Sequence, residues 1–192
     1  MQCSDYYKLV IDGCQGHFQW TADLLLEIYD ILQYLARVRN QGSCSTAVIS
    51  HMCGPHKGDG HQQEIVLIQD LIAQLIETHQ ERLKETHQIC DQSGHTMIDE
   101  PRRLWNLLSG FIFQSNISEL TILLDQVNHM HYGSLGTEHF TSFVQNLDSF
   151  CKTLRQRNVE VKVLITSTYF EAARCFEDVE GRITMKVSST PS

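Results

Sequence analysis

The chain has 192 residues, of which 42% are hydrophobic and 20% are charged, and its formal net charge is −8. This length suits one domain with one core. The acidic balance argues against nucleic acids and anionic membranes as partners, because both are bound by clustered Lys and Arg. No apolar run approaches the ~20 residues needed to cross a bilayer, and the N-terminus lacks signal-peptide features, so we expect a cytoplasmic protein. Seven cysteines without a CxxC pair indicate reduced thiols.

The first half of the chain alternates strand-like and helical patterns. Residues 6–12 are β-prone and precede a glycine-containing turn, which is typical of a mononucleotide-binding βα unit. A helix is predicted from Thr21 to about Asn40, because apolar residues recur there at helical spacing. A second strand is predicted over 45–53 and a second helix over 62–84.

The second half repeats this alternation. A third helix is predicted from Pro101, which suits a first helical turn. The apolar run Leu120–Leu124 is interpreted as a central strand that is buried on both faces. The remaining predicted elements are a helix over 137–157, a strand over 159–167, a short helix over 169–177 and a strand over 182–188. The pattern predicts one α/β domain spanning 1–192, a three-layer α/β/α sandwich with a mostly parallel sheet of about five strands.

Asp125 follows the strand Leu120–Leu124 directly. Open α/β sheets bind their ligands at the carboxyl ends of the strands, so this carboxylate lies where a ligand is expected.

Several short stretches occur in an order that is characteristic of one family. Residues 71–75 read LIAQL, residues 123–125 read LLD and residues 162–167 read KVLITS. With the glycine-containing turn after the first strand, they resemble the nucleotide-binding core of STAND-class P-loop NTPases. The resemblance is specifically to the NACHT or nephrocystin-3-like N-terminal modules of fungal multidomain proteins, and it covers roughly residues 6–188.

The resemblance implies a P-loop NTPase-like fold and a set of nucleotide-binding positions. Those in and after the phosphate-binding turn are Gly13, Cys14, Gln15, Gly16, His17, Gln19 and Thr21. Those at the ends of two later strands are Asp125, Thr166 and Ser167.

The chain departs from the family pattern where the chemistry would be done. Phe18 replaces a glycine, Gln19 replaces the Lys that neutralises phosphates, and Trp20 replaces the hydroxyl residue that ligates Mg²⁺. The second acid after Asp125 is missing near Asn128 or His129, and Thr168 stands in place of an Arg.

We therefore expect no catalytic residues, no useful hydrolysis and no required cofactor. The expected role is a degenerate P-loop domain that acts as a scaffold or binds a protein partner. The alternative is a switch domain that binds ATP or GTP with Mg²⁺ weakly, through the amides of residues 14–17 and the N-terminus of the first helix.

Two other groups of reactive side chains have competing interpretations. His51, Cys53, His56 and His61 are ligand types suited to Zn²⁺, but their spacing matches no common finger, so we expect a His-rich strand end and no metal. Residues 129 and 131 are histidines near Asp125 and allow a hydrolase hypothesis, although solvated loop histidines are the simpler interpretation. Cys14 with His17 allows a thiol nucleophile, which lacks an evident oriented base.

Overall fold

The computed structural model describes residues 7–13, 18–39, 45–53, 60–83, 100–131, 136–167 and 182–187. The strands are β1 (Tyr7–Gly13), β2 (Ser45–Met52), β3 (Ile117–Asp125), β4 (Glu160–Ser167) and β5 (Arg182–Val187). The helices are α1 (Phe18–Arg39), α2 (Gly60–Leu83), α3 (Pro101–Gln114) and α4 (Gly136–Gln156), and a 3-10 helix spans Val127–His131.

The strands form one sheet in the order β2-β3-β4-β1-β5, and all neighbouring pairs are parallel. The predicted α/β class with a parallel sheet is confirmed. The interpretation of β3 as the central strand is wrong, because β4 lies between β3 and β1 and occupies the middle of the sheet. β3 is nevertheless covered on both faces, which explains its continuous apolar run.

Some element bounds differ from the sequence prediction. α1 begins at Phe18 rather than Thr21, so the turn before it is shorter than expected. β3 begins at Ile117 because its polar residues have partners on neighbouring strands: Ser118 Oγ donates to the Ser45 carbonyl at 3.2 Å. The helix predicted over 169–177 lies outside the described residues.

One face of the sheet carries the main core, beneath α2, α3 and α4. Alternate residues of β2, β3 and β4 point to this face, as the two-residue period of a strand requires. Their helical partners recur at three- and four-residue spacing, which places them on one side of each helix. Among the fully buried side chains here are Leu67, Leu71, Leu108, Ile112, Phe140 and Phe143.

A buried carboxyl group joins the three helices of this face. Glu64 of α2 accepts a hydrogen bond from Trp105 Nε1 of α3 at 2.9 Å and from Asn146 Nδ2 of α4 at 3.1 Å. The Trp105 ring also packs on Phe150 of α4, with 4.8 Å between ring centroids. Buried polar groups need such partners because their desolvation is otherwise uncompensated, so Glu64 fixes how the helices meet.

The other face is covered by α1, which makes a smaller cluster. Ala36 packs with Val48 of β2 and Leu123 of β3, and Ile28, Tyr29, Leu32 and Leu164 are half-buried around them. Helices therefore lie on both faces of the sheet, as a three-layer α/β/α arrangement requires.

The outer edge of β2 is closed by side chains from both helical layers. Gln74 of α2 accepts from the Ser50 N–H at 3.0 Å and donates to the Ser50 carbonyl at 2.6 Å. Gln33 of α1 donates to the Val48 carbonyl at 2.8 Å. An open edge strand invites pairing with another chain, and these two amides occupy the groups that such pairing would use.

In the part of the chain that the structure describes, no helix is long and apolar enough to span a bilayer.

Candidate functional site at the carboxyl edge of the sheet

Asp125 ends β3 at the edge of the sheet where a ligand is expected. Its side chain is only 3% exposed. Thr166 near the end of the adjacent strand β4 donates its hydroxyl to Asp125 Oδ1. The sequence prediction named both residues as site positions, and the fold brings their side chains into contact.

Gln126 completes the enclosure of this carboxylate. Its backbone N–H donates to Thr166 Oγ1 at 2.9 Å, and its side-chain Nε2 lies 3.4 Å from Asp125 Oδ2. The Thr166 hydroxyl thus serves as both donor and acceptor, and each Asp125 oxygen has a protein partner. Gln126 has φ of 53°, a left-handed conformation that is uncommon outside glycine, which directs its amide toward Thr166.

The 3-10 helix supplies the next member of this network. His129 Nε2 lies 2.9 Å from Gln126 Oε1, and its backbone N–H donates to the Gln126 carbonyl at 3.0 Å. The amide oxygen is the acceptor here, so Nε2 carries the proton. Gln126 therefore links the imidazole to Asp125, which differs from the direct Asp–His pair that a hydrolase mechanism would use. Asp125, Thr166, Gln126 and His129 thus form one ordered hydrogen-bond network.

Cys53 lies against the same strand end from the β2 side. Its backbone N–H donates to the Asp125 carbonyl at 2.9 Å. Burial raises the pKa of the Cys53 thiol well above its ordinary value, and the negative charge of Asp125 adds to this effect. The thiol therefore stays protonated at neutral pH and is a poor nucleophile and metal ligand in this state.

The phosphate-binding turn predicted by the resemblance begins beside β4. Asp12 of β1 lies in register with Ser167 of β4, so Gly13 ends its strand at the same edge as Asp125. The candidate positions 14–17 lie outside the described residues. α1 starts at Phe18, which puts Gln19 and Thr21 in its first turn, where backbone N–H groups have no partner within the helix.

Sequence reasoning did not select Gln126, although this residue organises the network. The signal for it was weak, because a single Gln after an acid is typical of many loops. Its role depends on a left-handed backbone and on the distance between β3 and β4, which only the folded chain supplies.

Two of the four candidate zinc ligands, His51 and Cys53, have their side chains within the described residues. His51 Nδ1 lies 2.8 Å from Asp70 Oδ2 of α2, and Cys53 is buried at the end of β2. His56 and the side chain of His61 lie outside the described part. The described side chains form no cluster of three or more His, Cys, Asp or Glu residues that could hold a metal ion.

No protein-family model matches the chain, and no curated protein matches it significantly in sequence. Two solved structures from Aeropyrum pernix have a similar fold. One is the ORC1 protein in complex with DNA, with a TM-score of 0.53 and 10% identity, over 94% of this chain and 39% of that one. The other is the ORC2 protein in ADPNP-ADP complexes, with a TM-score of 0.51 and 7% identity, over 95% and 42%.

These likenesses establish a P-loop NTPase-like fold. At these identities they show the fold alone, and the chain spans about two fifths of the length of each archaeal protein.

Proposed function

We propose that this domain is a catalytically degenerate member of the P-loop NTPase-like class that acts as a scaffold or protein-interaction module. The observation that supports it most is the state of Asp125. An acid at this strand end would hold Mg²⁺ in a working NTPase, and here its two oxygens contact Thr166 and Gln126 and its side chain is buried.

The residues at the start of α1 support the same proposal. Gln19 stands where a Lys would neutralise the phosphates, and Trp20 stands where a hydroxyl would ligate Mg²⁺. The loss of such groups costs several kcal/mol of transition-state stabilisation. The domain therefore keeps the fold without the chemistry, which leaves its surface as the functional part.

The finer assignment to NACHT or nephrocystin-3-like STAND proteins is part of this proposal. It rests on residues 71–75 (LIAQL) and 162–167 (KVLITS), which match that family in order and in the type of element that carries them. A cytoplasmic location and a protein partner belong to the same proposal.

The direct test is phosphate release from ATP and GTP with Mg²⁺. We expect the native chain to release no phosphate above a protein-free blank. The triple variant Phe18→Gly/Gln19→Lys/Trp20→Thr is the matched comparison, because it restores the residue types of a working loop and shows whether those three positions alone limit phosphate release. Phosphate release by the native chain that Asp125→Asn abolishes would overturn the proposal.

A weak nucleotide-binding switch is the second candidate. The alignment of Gly13 with the ends of β3 and β4, and the α1 N-terminus that follows, favour an anion at this edge. The ORC2 protein that resembles this chain in fold was solved in ADPNP-ADP complexes. Calorimetric titration with ATP and Mg²⁺ distinguishes the candidates, since saturable heat at millimolar nucleotide supports the switch.

Nucleic-acid binding is the point on which the fold comparison and the charge differ. The ORC1 protein is in complex with DNA. This chain carries a net charge of −8, so we keep the prediction of no nucleic-acid partner. Fluorescence anisotropy with labelled duplex DNA at low salt tests it, and salt-sensitive binding would contradict it.

A further inference from the structure

The outward face of α1 carries a continuous apolar stripe. Ile31, Tyr34, Leu35 and Val38 are 59%, 67%, 48% and 48% exposed. Their spacing of three, four and seven residues places them on one side of the helix, opposite the residues that pack on Val48 and Leu123. Single exposed apolar residues are ordinary, but a contiguous patch of this kind marks an interaction surface.

This stripe follows the seven-residue period of helices that pair along their length. In heptad notation Ile31 and Val38 take position a, Tyr34 takes d and Leu35 takes e, whereas the preceding d position is the charged Glu27, so the apolar period spans residues 31–38. The exposed stripe is therefore patterned to receive another helix alongside α1.

The charges beside the stripe indicate what that helix is. Asp30 and Arg37 both take position g, on the same flank of the stripe, and both are exposed. When two helices pair in antiparallel orientation, g positions face g positions. A second α1 in that orientation, related by a two-fold axis near Tyr34, brings Asp30 of each copy opposite Arg37 of the other. A parallel pair would bring no such opposite charges together, because the e positions are Ile28 and Leu35.

We propose that α1 is a self-association surface, and that a second copy of this chain docks on it with its own α1 antiparallel. The interface is isologous, with the apolar stripe at its centre and two Asp30–Arg37 pairs at its sides. This inference deepens the proposed interaction role by naming a partner. Because the stripe consists of four partly exposed side chains, whereas a standard interface has about 20–30 residues a side, we expect a weak dimer with a dissociation constant on the order of 10 µM.

The closed edge of β2 favours this mode over sheet extension. Gln33 and Gln74 already occupy backbone groups that a second β2 would need. A second copy therefore cannot readily pair with the edge of β2. On this side of the molecule it would dock on a helix instead.

Sedimentation equilibrium of the full chain, without nucleotide, over about 1–200 µM tests the proposal. We expect a monomer–dimer equilibrium in the native chain. Leu35→Asp should weaken it at least about a hundredfold, because it places a carboxylate within the apolar stripe. Val66→Asp, an equivalent change at an exposed residue of α2, should leave it unchanged.

Charge reversal identifies the partner and the orientation. Asp30→Arg and Arg37→Asp should each weaken self-association about tenfold, because each places like charges opposite one another. A mixture of the two single variants should form a 1:1 heterodimer at least as tight as the native dimer, since every g position then faces its opposite charge. Recovery in the mixture requires residue 30 of one copy to face residue 37 of the other, as the antiparallel α1 pair places them.

A native chain that remains monomeric at about 200 µM would overturn the proposal and leave the stripe to a different partner. The proposal would be overturned equally if Leu35→Asp left the dimer affinity unchanged, or if the mixture of single variants formed no heterodimer. None of these outcomes depends on the nucleotide assays above, so either proposal can fail alone. Circular dichroism of each variant shows that the exposed substitutions leave the fold intact.

Discussion

The two faces of the sheet are covered in different ways. Beneath α2, α3 and α4 the core is continuous, and the helices are tied to one another by Glu64 as well as by aromatic packing. Beneath α1 the described side chains form a smaller cluster, and most of its members are only half-buried. α1 also keeps apolar side chains on its outward side, whereas the outward sides of α3 and α4 are polar or charged.

The two faces therefore differ in how much apolar surface they bury and in how much they leave exposed. Burial of apolar area is the main favourable term in folding, so among the described residues the α2–α4 face contributes more to stability than the α1 face. Among the described residues, the α1 face buries less apolar surface, and its outward side carries the stripe for which self-association is proposed. The carboxyl edge of the sheet lies between the two helical layers. Asp125 at this edge is enclosed by protein groups.

The largest expected effect compares the two faces directly. Leu108→Ala, at a fully buried position of α3, should lower the free energy of unfolding by about 3–4 kcal/mol through lost burial and a cavity. Leu32→Ala on the α1 face should cost about 1 kcal/mol, because Leu32 is half-buried and its site can relax. Urea denaturation followed by circular dichroism measures both. Equal losses would contradict the unequal division of stability between the faces.

Trp105→Phe tests the polar junction within the α2–α4 face. It removes one donor from the buried Glu64 carboxyl and some ring volume beside Phe150, so we expect a loss of about 2–3 kcal/mol. Adding Glu64→Gln should cost less in this background than in the native chain, because the uncharged amide tolerates the missing donor better. Strictly additive losses in this double-mutant cycle would show that the two residues do not interact energetically.

Thr166→Val tests how much the Thr166 hydroxyl contributes to the hydrogen-bond network at the carboxyl edge of the sheet. The substitution keeps the side-chain shape but leaves Asp125 Oδ1 and the Gln126 N–H without this hydroxyl, so we expect a loss of about 2 kcal/mol. Thr166→Ser retains the hydroxyl and is the matched control, with an expected loss under about 1 kcal/mol. Thermal or urea unfolding gives both values. If Val is tolerated as well as Ser, the hydroxyl does not hold this network together.

The smallest effect compares one glutamine from each layer. Gln74→Ala removes two bonds to Ser50 and should cost about 1 kcal/mol, whereas Gln33→Ala removes one bond to a carbonyl and should cost about half as much. Hydrogen exchange adds a local readout, because only Gln74→Ala should speed exchange of the Ser50 amide. Unchanged exchange in that variant would mean that another group protects the edge.

Much of the fold follows from local patterns in the sequence. The alternation of apolar runs and helical periodicities predicts the parallel α/β sheet, because each pattern reports which side of an element is buried. These local patterns do not predict the order of the strands in the sheet. The order depends on which strands each helical connection places side by side. The insertion of β4 between β3 and β1 is therefore visible only in the folded chain.

The candidate site could be predicted in part for a similar reason. Asp125 is recognisable because it ends an apolar strand, and Thr166 is selected by the family resemblance; the fold places the two side chains in contact. Gln126 could not be recognised, because its role depends on a left-handed backbone and on contacts between residues distant in sequence. The side chains of Gln19 and Thr21 lie outside the described residues, so their part in any nucleotide site stays a prediction.

We expect that the P-loop-like edge binds no nucleotide, and one measurement distinguishes this from the weak switch most directly. The thermal midpoint of the native chain is compared with and without about 5 mM ATP and Mg²⁺, since a ligand that binds only the folded state must raise it. We expect no change in the thermal midpoint of the native chain and a rise in the midpoint of the Phe18→Gly/Gln19→Lys/Trp20→Thr variant. A reproducible rise of a few degrees in the native chain, lost in Asp125→Asn, would contradict the claim and favour the nucleotide-responsive switch.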